Sequence, residues 1–179
     1  MIELIGGGAR SGKSRFALQR AAAVHASLNN GHKVFIATAQ PLDHAMRERI
    51  EAHRAERDKS WTLIEQPLDL AASIRALNPS DCAVVDCLTL WVTNWLMQEN
   101  PENWQSQRSD FLQALVQTPS NVFIVTNEVG HGVTPLGQLS RDFVDESGFL
   151  HQAIAELADN VTMMQFGIPQ FLKTTTAFN

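Results

Sequence analysis

A short apolar run, Ile2-Glu3-Leu4-Ile5, opens into Gly7-Gly8-Ala9-Arg10-Ser11-Gly12-Lys13-Ser14, and a stretch of helical spacing follows, with Ala17, Ala21, Val24 and Leu28 on one stripe. Strand, glycine-rich turn, Lys-Ser and helix, in that order, is the context of a phosphate-binding loop. The glycines let backbone N–H groups converge on a phosphate without Cβ obstruction. The helix N-terminus adds its partial positive charge at the same point. In such a loop Lys13 reaches the β- and γ-phosphates and Ser14 offers its hydroxyl to Mg²⁺. A glycine-rich turn with a merely solvated lysine is the plainer alternative. The strand and helix in register on either side weigh against it.

At 179 residues, with 44% hydrophobic and 18% charged residues, the chain suits a single catalytic domain over 1–179. The formal net charge of −5 does not indicate a nucleic-acid footprint. It does not exclude nucleotides, because a phosphate loop supplies its own local positive field. Cys82 and Cys87 flank an apolar run and form neither a CxxC pair nor a disulfide framework. They read as small buried hydrophobes in a reducing compartment. The N-terminus has no signal-peptide pattern, and no apolar stretch approaches a membrane span. A cytoplasmic location is therefore expected.

Strands are expected over 2–5, 34–37, 61–65, 82–86, 122–126 and 161–166, and helices over 13–28, 43–57, 68–77, 88–97, 104–117 and 138–157. Gly148 marks a possible break in the last helix. Gly167-Ile168-Pro169 reads as a turn, with 170–173 as an edge pairing and a loose tail beyond. The helix over 88–97 is apolar nearly all round, which suits a buried or an interface helix. Alternating strands and helices predict a three-layer α/β fold around a mostly parallel sheet.

Three further positions carry candidate chemistry. Asp86 closes an apolar strand, where an acid in phosphate-loop enzymes holds the Mg²⁺ shell near the loop serine; an ordinary turn aspartate is the alternative. His53 lies on the narrow stripe of Met46 and Ile50. From spacing alone, a single histidine there is more often a packed or interface residue than a catalyst. Arg47, Arg49, Arg54 and Arg57 make a phosphate neighbourhood conceivable, while Glu48, Glu51, Glu56 and Asp58 support a plain salt-laced surface helix. Asn127 and Glu128 follow a strand and should share the sheet edge with the phosphate loop. Glu128 could accept a substrate hydroxyl, help place Mg²⁺, or brace its own loop.

These pieces together resemble the bifunctional adenosylcobinamide kinase / adenosylcobinamide-phosphate guanylyltransferase family. The residues carrying the match are Gly7 to Ser14 with Arg15, then Ile36-Ala37-Thr38-Ala39-Gln40, Arg49-Ile50 with His53-Arg54, and Trp61 with Glu65. The most specific blocks are Val85-Asp86-Cys87-Leu88-Thr89-Leu90-Trp91-Val92-Thr93-Asn94 and Val125-Thr126-Asn127-Glu128-Val129-Gly130 with Gly132 and Pro135. The match runs in order over nearly the whole chain.

The resemblance implies a RecA-like phosphate-loop fold and a homotrimer. It implies phosphorylation of the aminopropanol hydroxyl of adenosylcobinamide by ATP or GTP. It further implies transfer of GMP from GTP to the resulting phosphate, giving adenosylcobinamide-GDP in cobalamin biosynthesis. The transfer passes through a guanylylated histidine, which by position in Arg-Ile-x-x-His-Arg corresponds to His53. Mg²⁺ is the expected cofactor. Arg54 and Arg57 could offset triphosphate charge, and Thr38, Ala39, Gln40 and Glu65 resemble nucleotide contacts. The chain departs from the family pattern at Gly6, where Thr is usual, and at Val144 and His151, where Arg and Asn are usual, while Asp145 and Gly148 are kept. No guanine-reading motif such as NKxD is present. Competing functions are a phosphate-loop kinase for another small alcohol, with His53 structural, and a nucleotide-binding protein without turnover.

Overall fold

The central strands carry apolar side chains at consecutive positions, so both of their faces need cover. The computed structural model, which describes residues 1–28, 30–40, 44, 48, 60–98, 100 and 103–175, supplies it. The strands are β1 (Ile2–Gly7), β2 (Lys33–Ala37), β3 (Trp61–Glu65), β4 (Cys82–Asp86), β5 (Asn121–Val125), β6 (Asn160–Gln165) and β7 (Ile168–Thr174). They form one seven-stranded sheet in the order β3-β2-β4-β5-β1-β6-β7. All pairings are parallel except that of β6 with β7.

The helices are α1 (Lys13–Ala26), α2 (Leu70–Arg75), α3 (Leu88–Leu96), α4 (Trp104–Gln117) and α5 (Gln138–Leu157). Side chains alternate between two cores. Ile5, Phe35, Val84, Phe123 and Val125 pack with Ala17 and Ala21 of α1. Leu4, Ile36, Val85 and Ile124 pack on the opposite face with residues of α2, α3, α4 and α5, among them Leu70, Leu88, Phe111 and Ile154. The expected three-layer α/β architecture is the observed one.

Helix α3 is held inside the fold. Trp91 lies 5.0 Å from Trp104 and 4.9 Å from Phe111 between ring centroids. The indole nitrogens of Trp91 and Trp95 both donate to Leu68 O, at 2.6 and 3.0 Å. Both cysteines are buried and unbridged, and burial first, then a neighbouring aspartate, pushes each thiol up to about 11. They are inert thiols, as the sequence suggested.

Two local expectations are corrected. Helix α5 runs unbroken through Gly148, where a Cβ would meet nothing within 4 Å. An isolated glycine costs a helix about 1 kcal/mol, which the buried stripe of Ser147, Leu150 and Ile154 outweighs. The turn before β7 is Phe166-Gly167, and the strand already includes Ile168 and Pro169. Proline is compatible because β7 is the sheet edge, so its missing N–H removes no ladder bond. Lys173 Nζ donates to Ala155 O and Glu156 O at 3.0 and 2.8 Å, fastening β7 to the negative end of α5. The expected helix over 43–57 lies outside the described residues apart from His44 and Glu48.

Candidate active site

Parallel strands bring their carboxyl ends to one edge. Glu65, Ala37, Asp86, Val125, Ile5 and Thr162 are successive partners across β3, β2, β4, β5, β1 and β6. The loop Gly7 to Ser14, the residues after Ala37, Asp86, and the Asn127-Glu128 stretch all leave the sheet at that edge. Strand spacing puts the backbone of Asp86 about 10 Å from β1 and that of Glu65 about 19 Å from it. Glu65 is thus exposed on the far edge strand and remote from the phosphate loop.

The loop is built to bind an anion. Gly7 has φ 154°, and a Cβ there would lie 2.5 Å from Ser11 Oγ and 2.6 Å from Met164 O, so only glycine fits. Gly8, Ala9 and Arg10 form an exposed tip, and Gly12 caps α1 with φ 92°. No side chain caps that helix, and no acid occupies its first turn. Its leading N–H groups and positive dipole end therefore remain available to a phosphate. Lys13 is buried and its Nζ donates to Gly8 O at 3.0 Å, folded back along the loop. Ser14 follows on the first turn. Glu128 N donates to Gly7 O at 3.1 Å, which ties the end of β5 to the loop.

Asp86 is held from behind. Thr38 N donates to Asp86 O at 3.2 Å. The Thr38 hydroxyl both accepts from Cys87 N and donates to Cys87 O, each at 2.8 Å. Asn94 Nδ2 in turn donates to Thr38 O at 2.8 Å and to Pro67 O at 3.0 Å. Thr38 is fully buried, so its hydroxyl braces β2 against β4. Ala39 and Gln40 leave β2 half-buried at the same edge. Both Asp86 and Lys13 act on the Cys87 thiol, the first raising and the second lowering its pKa, which places them in one neighbourhood.

Two buried polar atoms at this edge, Asp86 Oδ2 and Ser11 Oγ, have no hydrogen-bond partner among the described residues. A buried carboxylate oxygen without a donor is costly unless a cation or water completes it. Mg²⁺ takes few protein ligands, often one carboxylate and a hydroxyl, and fills its octahedron with water and phosphate oxygens. Asp86 and Ser14 fit that demand. No group of three or more His, Cys, Asp or Glu able to hold a metal occurs among the described residues.

Glu128 Oε1 accepts from Gly130 N at 2.6 Å, and Asn127 Nδ2 donates to Thr89 Oγ1 at 2.8 Å. One oxygen of Glu128 thus braces its loop, and Asn127 fastens that loop to the start of α3. Sequence reasoning did not foresee the contact behind them, in which His151 Nε2 lies 2.6 Å from Thr126 Oγ1. Burial lowers the pKa of His151, and Glu128 pulls it partly back. The signal in the sequence is the departure from Asn at position 151, which by itself names no contact. His53, Arg54 and Arg57 lie outside the described residues.

The model of the cobinamide kinase / cobinamide phosphate guanyltransferase family matches residues 3–172. The chain belongs to that family. It is 47% identical over 174 residues to the bifunctional adenosylcobalamin biosynthesis protein CobP of Pseudomonas aeruginosa, covering 97% of this chain and 98% of that protein. It is 36% identical over 183 residues to the bifunctional adenosylcobalamin biosynthesis protein CobU of Escherichia coli, covering 94% and 97%. Among solved structures, a KaiC-like protein from the archaeon Pyrococcus horikoshii OT3 is similar at a TM-score of 0.48 and 18% identity, over 90% of this chain and 69% of that one. Membership makes the chain a transferase of cobalamin biosynthesis, with kinase and guanylyltransferase chemistry and a nucleotide-binding phosphate loop.

Proposed function

We propose that one chain performs both transfers with the residues named above, as a cytoplasmic homotrimer that uses Mg²⁺, ATP and GTP. The observation that carries the reading is the Asp86 oxygen without a hydrogen-bond partner among the described residues, together with the uncapped start of α1. In the kinase step the aminopropanol hydroxyl of adenosylcobinamide attacks the γ-phosphorus, and the nucleoside diphosphate leaves. Lys13 and the N–H groups of Gly7 to Ser14 hold the phosphates in line and spread the developing charge. Glu128, through the oxygen not bound to Gly130, orients the hydroxyl and accepts its proton. Mg²⁺, when bound by Ser14 and Asp86, would screen the charge of the β- and γ-phosphates.

In the second step neutral His53 attacks the α-phosphorus of GTP, a P–N bond forms and pyrophosphate leaves. An oxygen of adenosylcobinamide phosphate then attacks the same phosphorus. The P–N bond breaks and adenosylcobinamide-GDP results. Two displacements avoid bringing two polyanions together in one. Arg54 and Arg57 offset the triphosphate charge, and Ala39, Gln40 and Glu65 contact the nucleotide on the β2–β3 side, with Thr38 holding that edge in place.

The test is incubation with α-labelled GTP and Mg²⁺, followed by denaturation. Label is expected to stay on the protein, to be acid-labile and alkali-stable as a phosphoramidate is, and to vanish in His53→Ala. Label that persists in His53→Ala removes His53 from the mechanism. Absence of label in the wild type favours a kinase for another alcohol, or binding without turnover, which an ATP-turnover assay with adenosylcobinamide separates.

A further inference from the structure

Three consecutive residues leave β5 under separate ties. Thr126 N donates to Ile5 O at 3.0 Å, and Thr126 Oγ1 lies 2.6 Å from His151 Nε2 on α5. Asn127 Nδ2 donates to Thr89 Oγ1 at the start of α3. Glu128 N donates to Gly7 O of the phosphate loop, and Glu128 Oε1 accepts from Gly130 N. The aim of the Glu128 carboxylate therefore depends on where α5, α3 and the phosphate loop hold the backbone of 126–128. A reacting group needs such support, because productive geometry tolerates errors of only about 0.5 Å.

The tie from α5 is a costly one for the fold. Ser147, one turn before His151 on the same face, keeps a fully buried Oγ without a hydrogen-bond partner among the described residues. Burying polar groups beside Leu150 and Ile154 weakens the packing that holds α5, and a local cost of this kind points to function. The charges around His151 are few. α5 packs against α3, α4 and β1. α3 has no ionisable side chain. Arg108 and Asp110 of α4 pair with Glu146 and Arg75, and Glu3 of β1 pairs with Arg20. Lys173 of β7 is bound to carbonyls at the far end of α5. On α5 itself Arg141 and Asp142 both bond to Gln138, while Asp145, Glu156 and the loop residue His131 are exposed. Among the described residues, Glu128 is the charge that acts on the imidazole, which burial otherwise holds toward its neutral form.

We infer that His151 is a positioning residue of the kinase step, aiming Glu128 through Thr126 and setting how strongly that carboxylate accepts the proton of the substrate hydroxyl. This role rests on the reading of Glu128 as the acceptor of that proton. The coupling is reciprocal. Glu128 favours the charged imidazole, so a charged imidazole favours ionised Glu128 and makes it a weaker base. Neutral His151 braces Thr126 without that penalty. Phosphoryl transfer should then lose rate as His151 gains its proton, below about pH 6.5.

The experiment measures kinase kcat and KM with adenosylcobinamide and ATP from about pH 5 to pH 9. The proteins are the wild type, His151→Ala and His151→Gln, each also combined with Glu128→Gln, with thermal unfolding alongside. His151→Ala should lower plateau kcat about tenfold and leave the KM for ATP unchanged. Glutamine keeps an amide in reach of Thr126 but does not titrate, so His151→Gln should keep plateau kcat and lose the acid inflection. In the Glu128→Gln background neither change should lower kcat further. An inflection that persists in His151→Gln overturns the inference. So does a loss in His151→Ala that is equal with and without Glu128, since that marks a merely structural residue. Unchanged kcat in His151→Ala, with Glu128→Gln impaired, overturns it and leaves the role of Glu128 standing. Wild-type kcat in Glu128→Gln, or a wild type that does not phosphorylate adenosylcobinamide, overturns the reading of Glu128 together with this one.

Discussion

Asp81 and Asp86 stand at opposite ends of β4, and the protein treats their carboxylates in opposite ways. Asp81 is 3% exposed and saturated. Its Oδ1 accepts from His32 N at 2.9 Å, and its Oδ2 accepts from Asn78 N at 2.8 Å and Asn78 Nδ2 at 3.2 Å. The rest of that sheet edge follows suit. Asp159 Oδ2 accepts from Ile2 N at 2.7 Å, and Ser120 Oγ donates to Asn78 O at 2.7 Å. Asp86, by contrast, keeps one buried oxygen without a hydrogen-bond partner among the described residues, as does Ser11 on the neighbouring loop. One edge spends its polar groups on pinning the chain. The other withholds some of them, which destabilises the ligand-free protein and leaves them for a ligand.

The comparison can be broken by mutation. The largest expected effect is at the open edge. Lys13→Ala should lower kinase turnover by roughly 10²–10³-fold, the usual loss for one preorganised charge-stabilising group. Near-normal kcat would refute its phosphate role. At the saturated edge Asp81→Ala should strand three donors and cost about 3 kcal/mol. A melting temperature lower by roughly 10 °C, with kcat per folded molecule unchanged, is expected. A loss of kcat without a loss of stability would show that the two edges are not separate in function.

A smaller effect concerns His151, which sits at the open edge but behaves as a brace. Its pKa is depressed in the folded protein, so the unfolded chain binds the proton more readily. The stability it confers is complete above about pH 6.5, the unperturbed value, and declines as pH falls below it. Urea unfolding between pH 7 and pH 5 should show this decline in the wild type and a shallower one in His151→Asn. Equal slopes would mean that the contact with Thr126 carries no linkage.

Much of this was legible in the residues. The strand-loop-helix at Gly7 to Ser14 and the apolar runs of β4 and β5 are read directly, because burial on both faces leaves continuous hydrophobic segments. The continuation of α5 through Gly148 was not, since packing of distant residues decides it. The role of Asp81 was also hidden. An aspartate in Asn-Pro-Ser-Asp looks like any turn residue until the fold brings His32 beside it. Resemblance implies a nucleotide contact for Thr38, and its geometry adds a brace between β2 and β4 that no local pattern encodes.

The most direct measurement is the melting temperature of Asp86→Asn, taken without ligand and again with Mg²⁺ and GTP, beside that of Asp81→Asn. Asp86→Asn should melt at or above the wild type without ligand and lose the ligand-induced rise, while Asp81→Asn should melt lower and keep that rise. An Asp86→Asn protein that is destabilised as much as Asp81→Asn, or that retains the full rise with Mg²⁺ and GTP, would contradict the division of the sheet into a saturated edge and an open one.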